Sequence, residues 1–274
     1  MKSENSPFNA RDVDIAITGV GLWLPGASTQ EQLAALAESG VYPRQADVEP
    51  PSGKSIEVRA RRRASRLSRA MADVCAAAIH QAGLDASQVA TVFGSTLGEA
   101  HTMITLLGQM WRREEMSPMG FATSVHSAAS GTVSISAGNR AFTTSLSADY
   151  DTVSASLLEA WGVATMLNLP TVVICGDDHS PEDFVPEAES FDLLAVALAI
   201  TPTPSDEHAI VGRVSLPHPL VADQPLLPPI ASSAFVARNP QAGLLDLAAH
   251  LLAGRKGQVR LDRGLGNGCV VTIK

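Results

Sequence analysis

Cysteine is scarce in this chain. Only Cys75, Cys175 and Cys269 occur, with no CxxC spacing. That excludes a disulfide framework, gives no zinc pattern and fits a reducing, cytoplasmic setting. Long apolar runs are missing too. No stretch reaches the ~18–20 residues that a membrane span needs. The start, MKSENSPFNARD, is polar and acid-containing, unlike a signal peptide. Positive charge is in deficit, with 20 Lys+Arg against 28 Asp+Glu and a net charge of −8. That balance argues against nucleic acid as a partner. No internal repeat is visible. Core material is not lacking: 45 % of the 274 residues are hydrophobic and 18 % charged, which excludes intrinsic disorder and allows one large or two small domains.

The apolar run Asp14–Pro25, interrupted by Gly19 and Gly21, reads as a first strand buried on both faces. Thr29 and Gln32 form a capping-box pattern, opening a short helix that ends near Gly40. Residues 41–60 read as loop. From Ser65, the positions Leu67, Met71, Val74, Cys75, Ala78, Ile79 and Ala82 make one apolar helix face, closed by Gly83. A strand follows at Val89–Ser95, then helices at about 98–112 and 122–137. A strand at Phe142–Ala148 leads into a helix at Asp151–Leu167. Strands are expected at Thr171–Cys175, Leu193–Thr201 and Ile210–Leu216, the last two as a hairpin around the turn-rich Pro202–Glu207. A Pro-rich stretch, a helix at about 242–254 and a strand at about 268–273 complete the chain. Strands alternating with helices imply a layered α/β domain.

The junction Ser147-Ala-Asp-Tyr-Asp-Thr152 is where α/β enzymes often place a nucleophile, because a helix N-terminus stabilises an anion. It holds no cysteine, and its serine is not in a GxSxG elbow. The acids flanking Tyr150 suit a helix start, with Asp151 as N-cap. Asp177-Asp178-His179 with Glu182-Asp183 matches no standard metal-ligand set and reads as a surface turn. Six arginines, Arg59, Arg61, Arg62, Arg63, Arg66 and Arg69, cluster in an acidic protein. They read as a solvated face or as a docking patch for an acidic partner, and the lack of interleaved aromatics disfavours nucleic acid. The cysteines read as core fillers.

Several segments together resemble the β-ketoacyl synthases. Ser117-Pro-Met-Gly-Phe-Ala-Thr-Ser-Val-His-Ser-Ala-Ala-Ser-Gly131 is similar to their SPxxFxxSxxN-type helix, which places His126 as a packed helix residue. Ile15-Ala-Ile-Thr-Gly-Val-Gly21 resembles their first strand, and Gly94-Ser-Thr-Leu-Gly98 their GSGxG strand end. Gly264-Leu-Gly-Asn-Gly-Cys-Val-Val-Thr-Ile273 resembles their last turn and strand more loosely. The resemblance implies a thiolase-like α-β-α fold, with the N-terminal half largely intact and the C-terminal half strongly truncated. It divides the chain into a tail (1–13), a ketosynthase N-terminal-like domain (14–216) and a Pro-rich connection with a residual helix and strand (217–274).

Departures from the family pattern decide the expected function. A gapless count from Pro118 puts Tyr150 at the place of the family's cysteine. A phenol with a pKa near ~10 is a poor thioester acceptor. No His-Gly-Thr segment exists, and His80, His101, His126, His179, His208, His218 and His250 lack the family's catalytic contexts. The resemblance therefore implies a non-catalytic, chain-length-factor type subunit without cofactor or metal, closest to those of aryl-polyene clusters. Its partners would be a full-length catalytic ketosynthase, in a heterodimer, and transiently an acyl carrier protein. Leu97, Ala100, His101 and Ile104 would line the acyl tunnel, and Phe142, Thr144, Leu146 and Ala148 the dimer interface. The arginine run would dock the carrier. The alternatives are a decarboxylase or ketosynthase-like enzyme acting on malonyl or acyl carrier protein, and a free-standing acyl-binding module.

Overall fold

The computed structural model describes residues 9–183, 190–204, 209–222, 225–230 and 233–274. In chain order the strands are β1 (Ile15–Trp23), β2 (Ala90–Gly94), β3 (Thr143–Leu146), β4 (Thr171–Asp177), β5 (Leu194–Thr201), β6 (Gly212–Val214), β7 (His218–Pro219), β8 (Gly257–Arg260) and β9 (Cys269–Ile273). The helices are α1 (Gln30–Ser39), α2 (Val58–Arg61), α3 (Arg66–Gln81), α4 (Ala100–Trp111), α5 (Pro118–Ser124), α6 (Ala128–Ser136), α7 (Thr152–Leu167), α8 (Ala234–Ala237) and α9 (Ala242–Leu252). All described strands join one mixed sheet, in the order β3-β2-β4-β5-β1-β6-β9-β7, with β8 on β9. β2 runs parallel to β3 and β4, and the other pairings are antiparallel.

Alternation along the strands sorts the core into two faces. On β5, Leu194, Val196, Leu198 and Ile200 face α7 and α9, while Ala195, Ala197 and Ala199 face α3. The small side chains admit α3 close to the sheet. The two glycines of β1 serve the same approach. A Cβ on Gly21 would lie 2.0 Å from the Val74 carbonyl oxygen, and one on Gly19 2.1 Å from that of Ala78. The Gly-Val-Gly run is therefore no strand end: β1 continues through it to Trp23, with α3 resting on its backbone. Helix α9 is buried nearly all round, as expected of an apolar helix laid between sheet and α1.

Local signals set most boundaries. Thr29 caps α1 through Gln32 N–H, and Gly40 ends it at φ 67°. Ser65 caps α3 through Ser68 N–H. The Ser-Pro dipeptide is itself a helix start: Ser117 Oγ accepts from Gly120 N–H, and Pro118 fills the first helical position, where no N–H is needed.

Four expectations fail here. The β5–β6 hairpin does not form, because β1 lies between the two strands and pairs with both. Of its expected turn, residues 205–207 lie outside the described residues, as does His208. The helix expected at 122–137 is two helices, broken at Val125–Ser127, and His126 sits in the break. From there its Nε2 donates to the Ser95 carbonyl at 2.8 Å, so it serves the end of β2 rather than packing within a helix. The expected loop 41–60 contains a 3-10 turn at Gln45–Asp47 and the start of α2. Strand β8 lay in a stretch with no strand expected. Residues 217–274 supply β7, β8, β9 and α9 to the same sheet and core as the rest.

Candidate functional site

The parallel strands β3, β2 and β4 end together at Leu146, Gly94 and Asp177. Carboxyl ends of parallel strands are where α/β sheets place their ligands. Asp177 is fully buried there, and the turn after β2 wraps around its carboxylate. Ser95 Oγ donates to it at 2.6 Å, Leu97 N–H at 2.9 Å, Thr96 N–H at 3.0 Å and Gln241 Nε2 at 2.6 Å. Burial pushes the Asp177 carboxyl above its ordinary range, and these donors pull against that shift. Ser95 Oγ also accepts from Gly98 N–H, so the Gly94–Gly98 turn is a closed polar knot. Asn239 Nδ2 links the Asp177 and Asp192 carbonyls, at 3.1 and 3.0 Å. Sequence reading missed Asn239 and Gln241, which sit just before α9 in a stretch that carries no local motif.

This knot holds the strand-to-helix junction. Thr96 Oγ1 donates to the Asp149 carbonyl at 3.0 Å, and Ser147 Oγ to the Thr96 carbonyl at 3.2 Å. Asp149 is the strained residue of the turn, at φ 51°. Tyr150 follows it, half-buried in the 3-10 turn Asp149–Asp151. Asp151 stands at the N-cap position of α7 as expected but makes no side-chain capping bond: its carboxylate accepts from Asn267 N–H and Nδ2, tying the C-terminal glycine turn to the helix start. Thr152 Oγ1 braces the turn before the helix, accepting from Ala148 N–H at 3.0 Å and donating to the Asp149 carbonyl at 2.6 Å. The junction itself presents Asp149, Tyr150 and Asp151 and no thiol. Cys75 and Cys175 are buried, with thiols pushed up to about 12 by burial. Cys269, at the start of β9, is partly exposed, and burial raises its thiol too.

Of the tunnel candidates, Leu97 lies in the turn that wraps Asp177. Ala100 is buried, and Ile104, one turn along α4, is half-buried. His101 is exposed, and its ring stacks on that of His179 with centroids 5.8 Å apart. His101 Nε2 donates to the His179 carbonyl at 2.6 Å, and His179 Nδ1 meets Ser190 Oγ at 2.8 Å. Asp178 pairs with Arg66 at 3.5 Å, and no cluster of three His, Cys, Asp or Glu exists among the described residues.

Strand β3 is the sheet's outer strand. Phe142 and Leu146 carbonyls accept from β2, so in this register the main-chain groups of Phe142, Thr144 and Leu146 are spent on β2. Those of Thr143 and Ser145 point outward, where no strand lies among the described residues. Thr144 and Leu146, expected at an interface, can therefore reach a partner only with side chains. Ala148 lies beyond the strand, next to the strained Asp149. Helix α6 packs on β3, and large apolar side chains are exposed on α6 and on the α4–α5 pair next to it: Ile135 is 81 % exposed, Trp111 90 % and Phe121 65 %.

The arginines divide. Arg69 Nη2 donates to the Arg61 carbonyl at 2.9 Å, and Arg66 is spent on Asp178. Arg59, Arg61, Arg62 and Arg63 have no ion-pair partner among the described residues. Beside them, buried Glu99 accepts from Ser65 Oγ and Ser68 Oγ, both at 2.7 Å. Burial raises its carboxyl above the usual 4.5, with the two hydroxyls opposing. A carboxyl whose folded pKa is raised contributes stability below its unfolded pKa and loses it as pH climbs through the folded one. Urea unfolding from pH 4 upward should therefore show wild type losing stability relative to Glu99→Gln. A flat difference would contradict the burial argument.

A mixed sheet with helices on both faces and a strained strand-to-helix turn at its parallel end defines a thiolase-like ketosynthase fold. The profile of the beta-ketoacyl synthase N-terminal domain matches residues 37–254, and the chain belongs to that family. Among solved structures it is similar to the Xenorhabdus doucetiae complex of ketosynthase ApeO with its chain length factor ApeC: TM-score 0.70, 20 % identity, 96 % of this chain and 100 % of that one. The ishigamide ketosynthase/chain length factor gives 0.69 and 14 % over 95 % and 98 %. The complex AntDE:AntF, a ketosynthase with its acyl-carrier protein, gives 0.66 and 13 % over 95 % and 99 %. No curated protein sequence matches the chain. No helix among the described residues is long and apolar enough to cross a membrane.

Proposed function

We propose that this chain is a non-catalytic, chain-length-factor type subunit that pairs with an active ketosynthase and shapes its acyl tunnel. The observation that carries this reading is the junction. In strand-to-helix elbows the strained residue presents the nucleophile. Here that residue is Asp149, beside Tyr150, which the gapless count sets at the place of the relatives' cysteine. Neither side chain is a good acyl acceptor from a thioester: a carboxylate would yield a reactive anhydride, and a phenol is a far weaker nucleophile than a thiolate.

The free edge of β3 and the exposed apolar side chains of the neighbouring α6, Ile135 among them, support a partner chain on that side. The whole-length likeness to chains from ketosynthase/chain length factor complexes supports a ketosynthase as that partner. Leu97, Ala100, His101 and Ile104 would reach the tunnel, and the unpaired arginines would receive an acidic carrier protein. An acyl chain of the aryl-polyene type remains the family-based expectation for the product, and the cytoplasm for the location.

Co-expression with a ketosynthase from the same operon tests the pairing. The expected result is a stable one-to-one complex, and an elongation product shortened by Leu97→Trp. A tight homodimer that ignores the ketosynthase would refute the reading. A decarboxylase would instead release carbon dioxide from malonyl carrier protein when supplied alone.

A further inference from the structure

Residues 62–65 join α2 to α3 without helix or strand, and they read Arg62-Arg63-Ala64-Ser65, followed by Arg66. No other serine or threonine of the chain has arginine both two and three places before it. Arg62 and Arg63 are exposed and have no ion-pair partner among the described residues. Ser65 is half-buried, on extended backbone at φ −61° and ψ 169°. Its hydroxyl holds two elements together. Oγ accepts from Ser68 N–H at 2.9 Å, capping α3, and donates to Glu99 Oε1 at 2.7 Å. Glu99 is buried at the N-cap position of α4.

We propose that Ser65 is a phosphorylation site for a serine kinase that reads arginines before its target, and that the phosphate releases the acyl carrier protein from the arginine run. The second half rests on the role proposed above for those arginines. A kinase whose substrate groove is lined with carboxylates recognises the two preceding arginines through paired, charge-assisted hydrogen bonds. Ser65 Oγ attacks the γ-phosphorus of ATP, the bond from that phosphorus to the ADP oxygen breaks, ADP leaves, and the hydroxyl proton passes to the kinase's base. The ester oxygen has no hydrogen to give Glu99, so that bond is lost, and a charge of about −1.5 to −2 arrives beside a buried carboxylate. Repulsion turns the phosphate outward. There the N–H groups in the first turn of α3 favour it, and Arg62 and Arg63 can pair with it. A carrier that needs the same arginines is displaced. No residue of β3 takes part.

Incubation of the full chain with ATP and a basophilic serine kinase, followed by intact-mass and fragment analysis, tests the site. The expected result is one phosphate per chain, mapped to Ser65 and absent in Ser65→Ala. Arg62→Ala/Arg63→Ala should slow its addition at least about tenfold, by weakening electrostatic recognition. Arg112→Ala/Arg113→Ala, at an arginine pair elsewhere in the chain, should leave it unchanged. The arginine variants keep the test open should Ser65→Ala misfold. No phosphate, a phosphate only at other residues, or equal slowing by the two double variants would overturn the proposal. Carrier binding tests the consequence. The phosphorylated chain should bind acyl carrier protein at least about tenfold more weakly than the unmodified chain, and pair with the ketosynthase equally well. Equal carrier binding before and after phosphorylation would overturn the release. An unmodified chain that binds no carrier would refute the role given to the arginines and the release with it, while the mass result decides the site by itself.

Discussion

Ser145→Pro is expected to abolish assembly with a ketosynthase while leaving the chain itself folded. Ser145 turns its main-chain N–H away from β2, toward the open side of the sheet, because Phe142, Thr144 and Leu146 supply the β2 ladder. Proline removes that N–H, and its ring blocks a strand approaching from outside. The lost bond alone is worth ~1 kcal/mol, about fivefold in dissociation constant, and the steric block adds to it. Inside the chain the substitution loses the Ser145–Ser130 hydroxyl bond at 2.9 Å, worth ~1 kcal/mol. Ser145→Ala separates the two effects: it should lose the small stability increment and keep the partner. Sedimentation of the mixed subunits measures the first effect and thermal unfolding the second. A proline variant that still assembles would show that the partner does not pair along β3.

The second large effect concerns the buried carboxylate. Asp177→Ala leaves Ser95 Oγ, the N–H groups of Thr96 and Leu97, and Gln241 Nε2 without their acceptor in a buried place. Each unsatisfied buried donor costs ~1–3 kcal/mol. Allowing for relaxation, urea unfolding should show a loss of ~3–5 kcal/mol, less than the full sum over four orphaned donors. Asp177→Asn keeps one acceptor oxygen and should fall between. The alanine variant should also weaken partner binding, because Thr96 links this knot to the junction through the Asp149 carbonyl. A loss below ~1 kcal/mol would mean that solvent fills the space and the knot is not a structural centre.

Strong periodicity made much of the fold legible in the sequence. Helix α3 was readable from seven apolar positions and a closing glycine, and α1 from its cap and closing glycine, because these signals are local. Partner choice between strands is not local. The β5–β6 hairpin looked plausible from a turn-rich connection, yet β1, far away in sequence, offers its two edges to those strands. The break between α5 and α6 carries no glycine or proline. It exists because His126 reaches the Ser95 carbonyl and packs on Gly98, contacts that no spacing rule displays.

The site shows the same division. The Gly94–Gly98 turn and the junction were found from their residues. The left-handed backbone at Asp149 was not legible, since no residue signal in the junction marks it, whereas the structure gives it directly. Asn239 and Gln241 were invisible because a lone amide has no signature until the buried carbonyls and carboxylate around it are known.

The account turns on whether this polypeptide ever carries an acyl group. Intact-mass analysis of the complex, taken after incubation with labelled acyl carrier protein, measures that directly. The adduct should appear on the ketosynthase alone, with this chain at its unmodified mass. A labelled acyl group on this chain, mapped to Asp149, Tyr150 or Cys269, would contradict the non-catalytic reading.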